Sequence, residues 1–244
     1  GFDNGSIDST LNADPLGDIT YQPEKVSGFE AGVKALLNDG SLEVNFDIYD
    51  YTYDDLQLNY FNAATFAYRT LNAEESESRG LELQVAYLPP LIDGLRLTAA
   101  YGYNDSNYVK FVGPCAGGQK PSEGCNVPDG GLTLQNLNGS KKALAPENRF
   151  NLGINYNSML RSGLELGFNM NVKASDDYRL SDTIPDIKQP RYNTVDAGIS
   201  LSSPTAGWKL ALIGRNLGDE YIQTSGSDAP STGGGAVSYT HLTL

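Results

Sequence analysis

The sequence has very few of the residues on which most catalytic centres depend. Its 244 residues include one histidine, two cysteines, one tryptophan and two methionines. Serine–histidine–aspartate and cysteine–histidine centres both need a histidine, and the single one, His241, lies close to the end of the sequence. We therefore predict that the protein is not an enzyme and has no catalytic, metal or cofactor site.

The sequence also lacks a long apolar run and an excess of basic residues. It has no stretch of 18 or more apolar residues, which excludes a transmembrane helix but not transmembrane strands, because these alternate apolar and polar residues. The net charge of −13 argues against nucleic acid as a partner, since phosphate binding needs a basic surface. The composition is too apolar and aromatic for a disordered chain and lacks the bias of a helical one.

A period-two alternation of apolar and polar residues recurs along the chain and predicts about eight β-strands. Between the first two, Asn38-Asp39-Gly40 is typical of a tight hairpin turn. The apolar-alternating segments are residues 29–35, 42–48, 81–87, 95–103, 150–156, 164–172, 195–201 and 208–212.

The connections between these segments alternate between short and long. Short ones fall at residues 38–40, 89–94, 158–163 and 202–207, and long ones at 57–66, 112–145, 179–189 and from 224 onward. An up-and-down antiparallel sheet with one plain rim and one elaborated rim gives this pattern, as transmembrane β-barrels do. A Greek-key sandwich has no reason to keep it. The apolar face would then meet lipid, and the polar face would line a lumen.

Aromatic residues fall near the ends of the apolar stretches. Amphipathic rings prefer the headgroup level of a membrane, so we predict aromatic girdles on the lipid-facing surface. The residues concerned are Tyr49, Tyr51, Tyr53, Tyr87, Tyr101, Tyr103, Tyr156, Trp208 and Tyr221.

The two cysteines, Cys115 and Cys125, lie in a loop rich in glycine and proline. This setting favours a disulfide formed in an oxidising compartment. Two unrelated free thiols are the alternative. Paired carboxylates at residues 54–55, 176–177, and 182 and 186 could serve glycosidic chemistry or bind calcium, but their places near outer-rim loops favour solvated surface charge.

Three stretches resemble segments of TonB-dependent outer-membrane receptors. The first resembles the approach from an outer loop into a strand, the second a recurrent strand entry, and the third a stretch shortly before the last strand. The residues that carry the resemblance are Pro23, Glu24, Phe29, Glu30 and Gly32; Ser78, Arg79, Gly80 and Glu82; and Arg215, Asn216, Leu217, Asp219 and Tyr221. From the residues themselves we expect all three to mark strand geometry rather than ligand contacts, because glycine relieves crowding and Asx side chains bond local backbone.

The resemblance implies an all-β, antiparallel up-and-down barrel of about 22 strands with a plugged lumen in the outer membrane of a Gram-negative bacterium. Such receptors bind a scarce ligand, most often a ferric siderophore, and import it with energy from the inner-membrane TonB complex. Residues 1–236 would be a C-terminal portion of the barrel, without plug or final strand, and about eight strands would form an open curved sheet. Residues 237–244 resemble translated sequencing-adapter read-through and are expected to be a non-native tail that packs poorly.

Other interpretations of the sequence stay open. One is a small complete outer-membrane barrel with a structural or adhesive role, since eight strands can close on themselves. Another is a secreted β-sandwich that binds carbohydrate. Within the receptor interpretation, the ligand could be a siderophore, a glycan or a cobalamin-like cofactor. The first residues show neither a basic nor an apolar leader segment, so we expect a cleaved signal peptide or a start within a longer protein.

Overall fold

The computed structural model describes residues 21–62, 67–129, 132–184, 186–228 and 236–240, and these are mostly β-strand. None of the helices in these ranges is both long and apolar enough to cross a membrane. A short 3-10 helix spans Pro121–Glu123. The strands are β1 Lys25–Leu37, β2 Leu42–Asn62, β3 Ala67–Tyr87, β4 Leu95–Lys110, β5 Val112–Pro114, β6 Cys125–Asp129, β7 Leu132–Asn136, β8 Asn148–Met159, β9 Glu165–Ser175, β10 Tyr178–Arg179, β11 Lys188–Gln189, β12 Tyr192–Ser203, β13 Trp208–Gly214, β14 Gln223–Asp228 and β15 Ala236–Thr240.

Eight of these strands form one antiparallel sheet in the order β1-β2-β3-β4-β8-β9-β12-β13. Each strand pairs with the next large strand of the chain, so the sheet is an up-and-down meander without crossovers. Within the described ranges, β1 pairs only with β2 and β13 only with β12. The prediction of an open antiparallel sheet of about eight strands is confirmed.

The strand register collects the apolar side chains on one face, which we call the apolar face. Phe46 lies opposite Leu83, and Leu83 lies opposite Tyr101 on the following strand. Several of these residues are strongly exposed, including Leu152 at 55% and Leu212 at 74%. A continuous apolar surface of this kind is costly in water and suits contact with lipid.

The opposite face of the sheet, the polar face, carries amides, hydroxyls and charges. Asn45 lies opposite Gln84, and Asp47 lies opposite Glu82. Between β9 and β8, Asn171 Nδ2 donates to Asn151 Oδ1 at 2.8 Å. The side-chain period of two keeps the faces separate over the whole sheet.

The prediction that Tyr49, Tyr51 and Tyr53 belong to a lipid-facing girdle is wrong. They are in phase with Asn45 and Asp47 and lie on the polar face, because alternation puts every second residue of β2 there. By contrast, Tyr101 shares the apolar face with Phe150, its cross-strand partner, and their rings stack with centroids 4.5 Å apart.

The connections divide between two rims, as predicted. Tight turns form the short-turn rim, where Asn38, Asp39 and Gly40 adopt positive φ values of 52°, 54° and 88°. The other rim, the long-loop rim, carries the three-stranded sheet β5-β7-β6 and the hairpins β10-β11 and β14-β15. Residues 57–62, expected in a loop, instead continue β2.

Part of the expected non-native tail also has a place in the fold. Ala236–Thr240 forms β15 and pairs with β14, so its backbone does not stand apart. Residues 241–244, with His241, and residues 1–20 lie outside the described ranges.

The face assignment predicts how the full-length protein responds to arginine. Val44→Arg, Leu83→Arg or Leu166→Arg should lower the free energy of unfolding by about 2–4 kcal/mol near the membrane midplane. The matched changes Asn45→Arg, Gln84→Arg and Asn169→Arg, each on the polar face, should cost less. Denaturant unfolding in lipid vesicles measures both sets, and equal losses would contradict the assignment.

Candidate functional site

The tyrosines of β2 line a cleft on the polar face, which we call the tyrosine cleft. Its volume is about 640 Å³, and its wall runs across β1 to β4 and the start of β8 to the segment 144–146. The rings of Tyr49 and Tyr51 stack at a centroid distance of 5.8 Å. The charged residues of the wall are Glu30, Lys34, Asp47, Glu82 and Arg149.

Gly80 makes room for Tyr49 to cross a neighbouring strand. The two residues are cross-strand partners, and a Cβ on Gly80 would lie 2.6 Å from the Tyr49 hydroxyl and against the carbonyl oxygen of Tyr103. The ring therefore passes over Gly80, and its hydroxyl donates to Asn104 Oδ1 on β4 at 3.0 Å. This contact gives a physical reason for glycine in the second family-like stretch.

The same stretch places its other residues on both faces. Ser78 and Glu82 flank Gly80 on the polar face and line the tyrosine cleft. Arg79 lies on the other face, with nitrogens 3.7 Å from Glu77 and 3.5 Å from Asp105. Because Arg79 is more than half exposed, these ion pairs contribute little to stability.

A chain of hydrogen bonds runs from the cleft towards the long-loop rim. Lys142 Nζ donates to Ser78 Oγ at 3.2 Å, and Ser106 Oγ donates to Asn104 Oδ1 at 2.9 Å. The hydroxyls of Ser78 and Ser106 lie 2.7 Å apart. Since Ser106 already donates to Asn104, Ser78 must be the donor between them, and every donor in the chain points towards Asn104 Oδ1.

The first family-like stretch joins β1 to the extended hairpin of β2 and β3. Glu24, which follows Pro23, accepts the backbone N–H of Gln57 with its Oε2 at 3.1 Å. Asn72 accepts from the N–H of Gln22 at 2.9 Å and donates to its carbonyl at 3.1 Å. These bonds fix the entry of the chain into the sheet.

Within β1, the residues of this stretch alternate between the faces. Glu30 accepts the Tyr51 hydroxyl at 2.7 Å, and Gly32 lies opposite Asp47 on the polar face. Phe29 is on the apolar face and is 61% exposed. Like the second stretch, the first therefore shapes the strands and contributes a side chain, Glu30, to the cleft wall.

The third family-like stretch is a closed turn after β13. Asn216 accepts the N–H of Glu220 at 3.0 Å and donates to its carbonyl at 2.9 Å. Asn216 and Asp219 both adopt positive φ, 47° and 52°, which asparagine and aspartate tolerate better than most residues. The turn is preceded by Arg215, the first residue after the strand. Leu217 donates its N–H to the carbonyl of Val195 at 2.8 Å. Tyr221, beyond the turn, is 64% exposed.

Asp182 joins two loops of the long-loop rim. Its Oδ1 accepts the Tyr108 hydroxyl at 2.7 Å and the backbone N–H of Ala143 at 2.7 Å. Tyr108 is 1% exposed and packs with Phe111, Leu137 and Ala73 in a small core above the apolar band. Burial, with the neighbouring Asp182 carboxylate, raises the pKa of Tyr108, so its hydroxyl stays protonated as a donor.

A second set of contacts ties the same two loops together. Gln135, 3% exposed, donates to the carbonyls of Thr183 at 2.6 Å and Pro114 at 2.7 Å. Arg179 donates to the carbonyls of Lys141 at 3.4 Å and Asp182 at 3.2 Å. Burial lowers the pKa of Arg179. Leu180, Ile184 and Ile187 form a second buried apolar cluster, against which Ala116 and Tyr178 pack.

Cys115 and Cys125 are joined by a disulfide at the edge of this assembly, with Cα atoms 5.6 Å apart. The bond connects the loop after β5 to the start of β6. No group of three or more histidine, cysteine, aspartate or glutamate side chains in the described part of the chain is arranged to hold a metal ion. Of the paired carboxylates, Asp182 is taken up by the loop contacts, and Asp176 accepts from Asn148 at 2.7 Å.

The profile of the family described as "TonB dependent receptor-like, beta-barrel" matches residues 1–217. The chain belongs to this family. Its members are outer-membrane transport receptors rather than enzymes. Comparison with the curated proteins gave no significant match.

Solved structures of this family share the fold. The siderophore receptor PiuA from Acinetobacter baumannii is 19% identical with a TM-score of 0.62, covering 94% of this chain and 28% of that chain. The ferric yersiniabactin uptake receptor FyuA from Yersinia pestis is 16% identical with a TM-score of 0.63, covering 89% and 28%. The ferric citrate transporter FecA is 17% identical with a TM-score of 0.60, covering 90% and 30%. The chain thus spans less than a third of these proteins.

Of the residues in the family-like stretches, Glu30, Ser78 and Glu82 line the tyrosine cleft. The β2 tyrosines, Lys142 and Asp182 are not predicted as site residues from the sequence. The sequence does indicate the face of the β2 tyrosines, because their alternation along the strand places them on the same face as Asn45 and Asp47. No sequence pattern indicates the contacts of Lys142 and Asp182, because their partners Ser78 and Tyr108 lie 64 and 74 residues away in the sequence.

Gly80→Ala should lower the free energy of unfolding by about 1–3 kcal/mol, because the new methyl group collides with Tyr49 and a strand carbonyl. Gly102→Ala is the matched control: it lies on the same face of the next strand, where nothing stands within 4 Å of an added Cβ. Its effect should stay within about 0.5 kcal/mol. Unfolding of the full-length receptor in vesicles measures both, and similar values for the pair would contradict the crossing of Tyr49.

We predict that protein isolated from the outer membrane contains the Cys115–Cys125 bond. Replacing both cysteines by serine should lower stability by about 3 kcal/mol at most, since the closed loop is short. Mass spectrometry under non-reducing conditions tests the bond directly. Two free thiols would rule it out.

Proposed function

We propose that this chain is a C-terminal portion of the barrel wall of a receptor that captures a scarce ligand at the surface of a Gram-negative bacterium. Residues 1–236 would belong to the barrel and residues 237–244 would be foreign to it. The receptor would bind the ligand at the long-loop rim and import it with energy from the inner-membrane TonB complex. The imported ligand would be a ferric siderophore.

One observation carries this proposal: the joined loops of the long-loop rim extend over a polar face that holds a wide, aromatic cleft. Asp182 and Gln135 hold the loops together, and the segment 144–146 of one loop lines the tyrosine cleft. The joined loops therefore offer a surface for ligand at the rim, and the polar face of the sheet continues from that surface along the strands. Such a wall would face a plug domain and a passing solute rather than lipid.

The choice of ligand is supported by the relatives' own names. PiuA is a siderophore receptor and FyuA takes up ferric yersiniabactin. The tyrosine cleft offers hydroxyls, aromatic rings and both signs of charge, which suit a large polar complex better than a bare ion.

Uptake by the full-length receptor, recovered with its upstream sequence, tests the proposal. In an iron-starved host lacking other receptors, the receptor should support uptake of at least one radioiron complex from a panel of trihydroxamate, tricatecholate and citrate complexes. The uptake should vanish in a strain without TonB. Uptake of cobalamin, copper or an oligosaccharide instead would contradict the siderophore assignment, and uptake that persists without TonB would contradict the energy source.

A further inference from the structure

Among the described residues, the side-chain nitrogen of Lys142 contacts a hydroxyl and an aromatic ring, both neutral. Its Nζ donates to Ser78 Oγ at 3.2 Å and lies 4.4 Å from the centroid of the Tyr53 ring. In the described part of the chain, no carboxylate oxygen lies within 4 Å of this nitrogen. By contrast, Lys110 is 3.0 Å from Glu75, and Lys141 is 2.7 Å from Glu147.

The surroundings of Lys142 hold its charge in a partly dry place. Burial lowers the pKa of this lysine, and the more distant carboxylates of Asp182 and Glu24 oppose the shift more weakly. Removing an ammonium from water is costly unless an anion compensates it. A hydroxyl and an aromatic face compensate only part of this cost.

The position of Lys142 is fixed from several sides. Its backbone N–H donates to the carbonyl of Ser106 at 3.1 Å, and the next residue, Ala143, donates to Asp182. Its partner Ser78 is itself oriented by the hydrogen-bond chain to Asn104. An ammonium group has three donors, so a Lys142 fixed in this way can still donate to a further oxygen.

Lys142 lies where two clefts approach each other. It lines an outer cleft of about 360 Å³ at the long-loop rim, whose other charged residues are the basic Lys141, Arg179 and Lys188 and the acidic Glu147, Asp176 and Asp177. Its two partners, Ser78 and Tyr53, line the tyrosine cleft instead. An anion that reached Lys142 from the rim would therefore stand at the entrance to the tyrosine cleft.

We propose that Lys142 binds an anionic oxygen of the imported ligand, and so selects ligands that carry a carboxylate, catecholate or similar acid group. This inference rests on the proposed function. A charge-assisted hydrogen bond from the ammonium would form as the ligand moves from the outer cleft to the tyrosine cleft. Tyr53 and Ser78 act as positioning residues, because they hold the ammonium at that entrance.

Binding to the purified full-length receptor tests this role. For an anionic ferric complex, tricatecholate or citrate, Lys142→Gln should weaken binding about 10- to 100-fold. Lys142→Arg should retain most of the affinity, because the charge remains. Lys110→Gln, which removes a lysine that already has a carboxylate partner, should leave the affinity unchanged. A neutral ferric trihydroxamate should bind all four proteins equally.

The outcomes separate the two proposals. If Lys142→Gln weakens the binding of neutral and anionic complexes by the same factor, the role of Lys142 is structural and the inference is wrong. A receptor that binds only the neutral complex would also overturn the inference. If no ferric complex binds, the proposed function fails. Lys142 is then tested with iron-free citrate, which should protect it, but not Lys110, from amine acylation followed by mass spectrometry. Absence of protection would overturn the inference.

Discussion

Lipid offers no hydrogen-bond partner to a backbone amide, and this constraint governs the whole molecule. Every strand that crosses the hydrocarbon must pair with a neighbour on both sides. The antiparallel meander from β1 to β13 satisfies this for each inner strand with connections that stay at the rims. Among the described residues, the longer connections lie at one end of this sheet, the long-loop rim.

The same constraint leaves side chains as the variable part of the wall. On the apolar face the side chains need only be apolar, so an aliphatic residue such as Leu83 and an aromatic residue such as Phe46 meet the same requirement. On the polar face they must solve local problems of packing, and the solution at Gly80 is an aromatic ring laid across a strand. The glycine, the tyrosine and the asparagine that accepts its hydroxyl come from three adjacent strands.

Much of the fold could be predicted because it depends on short-range patterns. Alternation from Leu42 to Ile48 gives the faces, and Asn38-Asp39-Gly40 gives a turn. The phase of a residue along its strand decides its face, and Tyr49 therefore lies on the polar face although it is near the end of an apolar stretch. The candidate site could not be predicted, because Lys142 meets Ser78 only after β3, β4 and the long loop that follows β4 have assembled. No local pattern encodes such a contact.

Asp182 accepts hydrogen bonds from Tyr108, near the end of β4, and from Ala143, in another loop, and this has a consequence for how the long-loop rim can change. Surface loops usually change independently through insertion and deletion. Here, exchange of the Asp182 loop alone would leave the buried hydroxyl of Tyr108 and the amide of Ala143 without their acceptor, which is costly above all for the buried hydroxyl. The loop that carries Asp182 and the segment that carries Ala143 are therefore energetically coupled, and an exchange of both together avoids this cost.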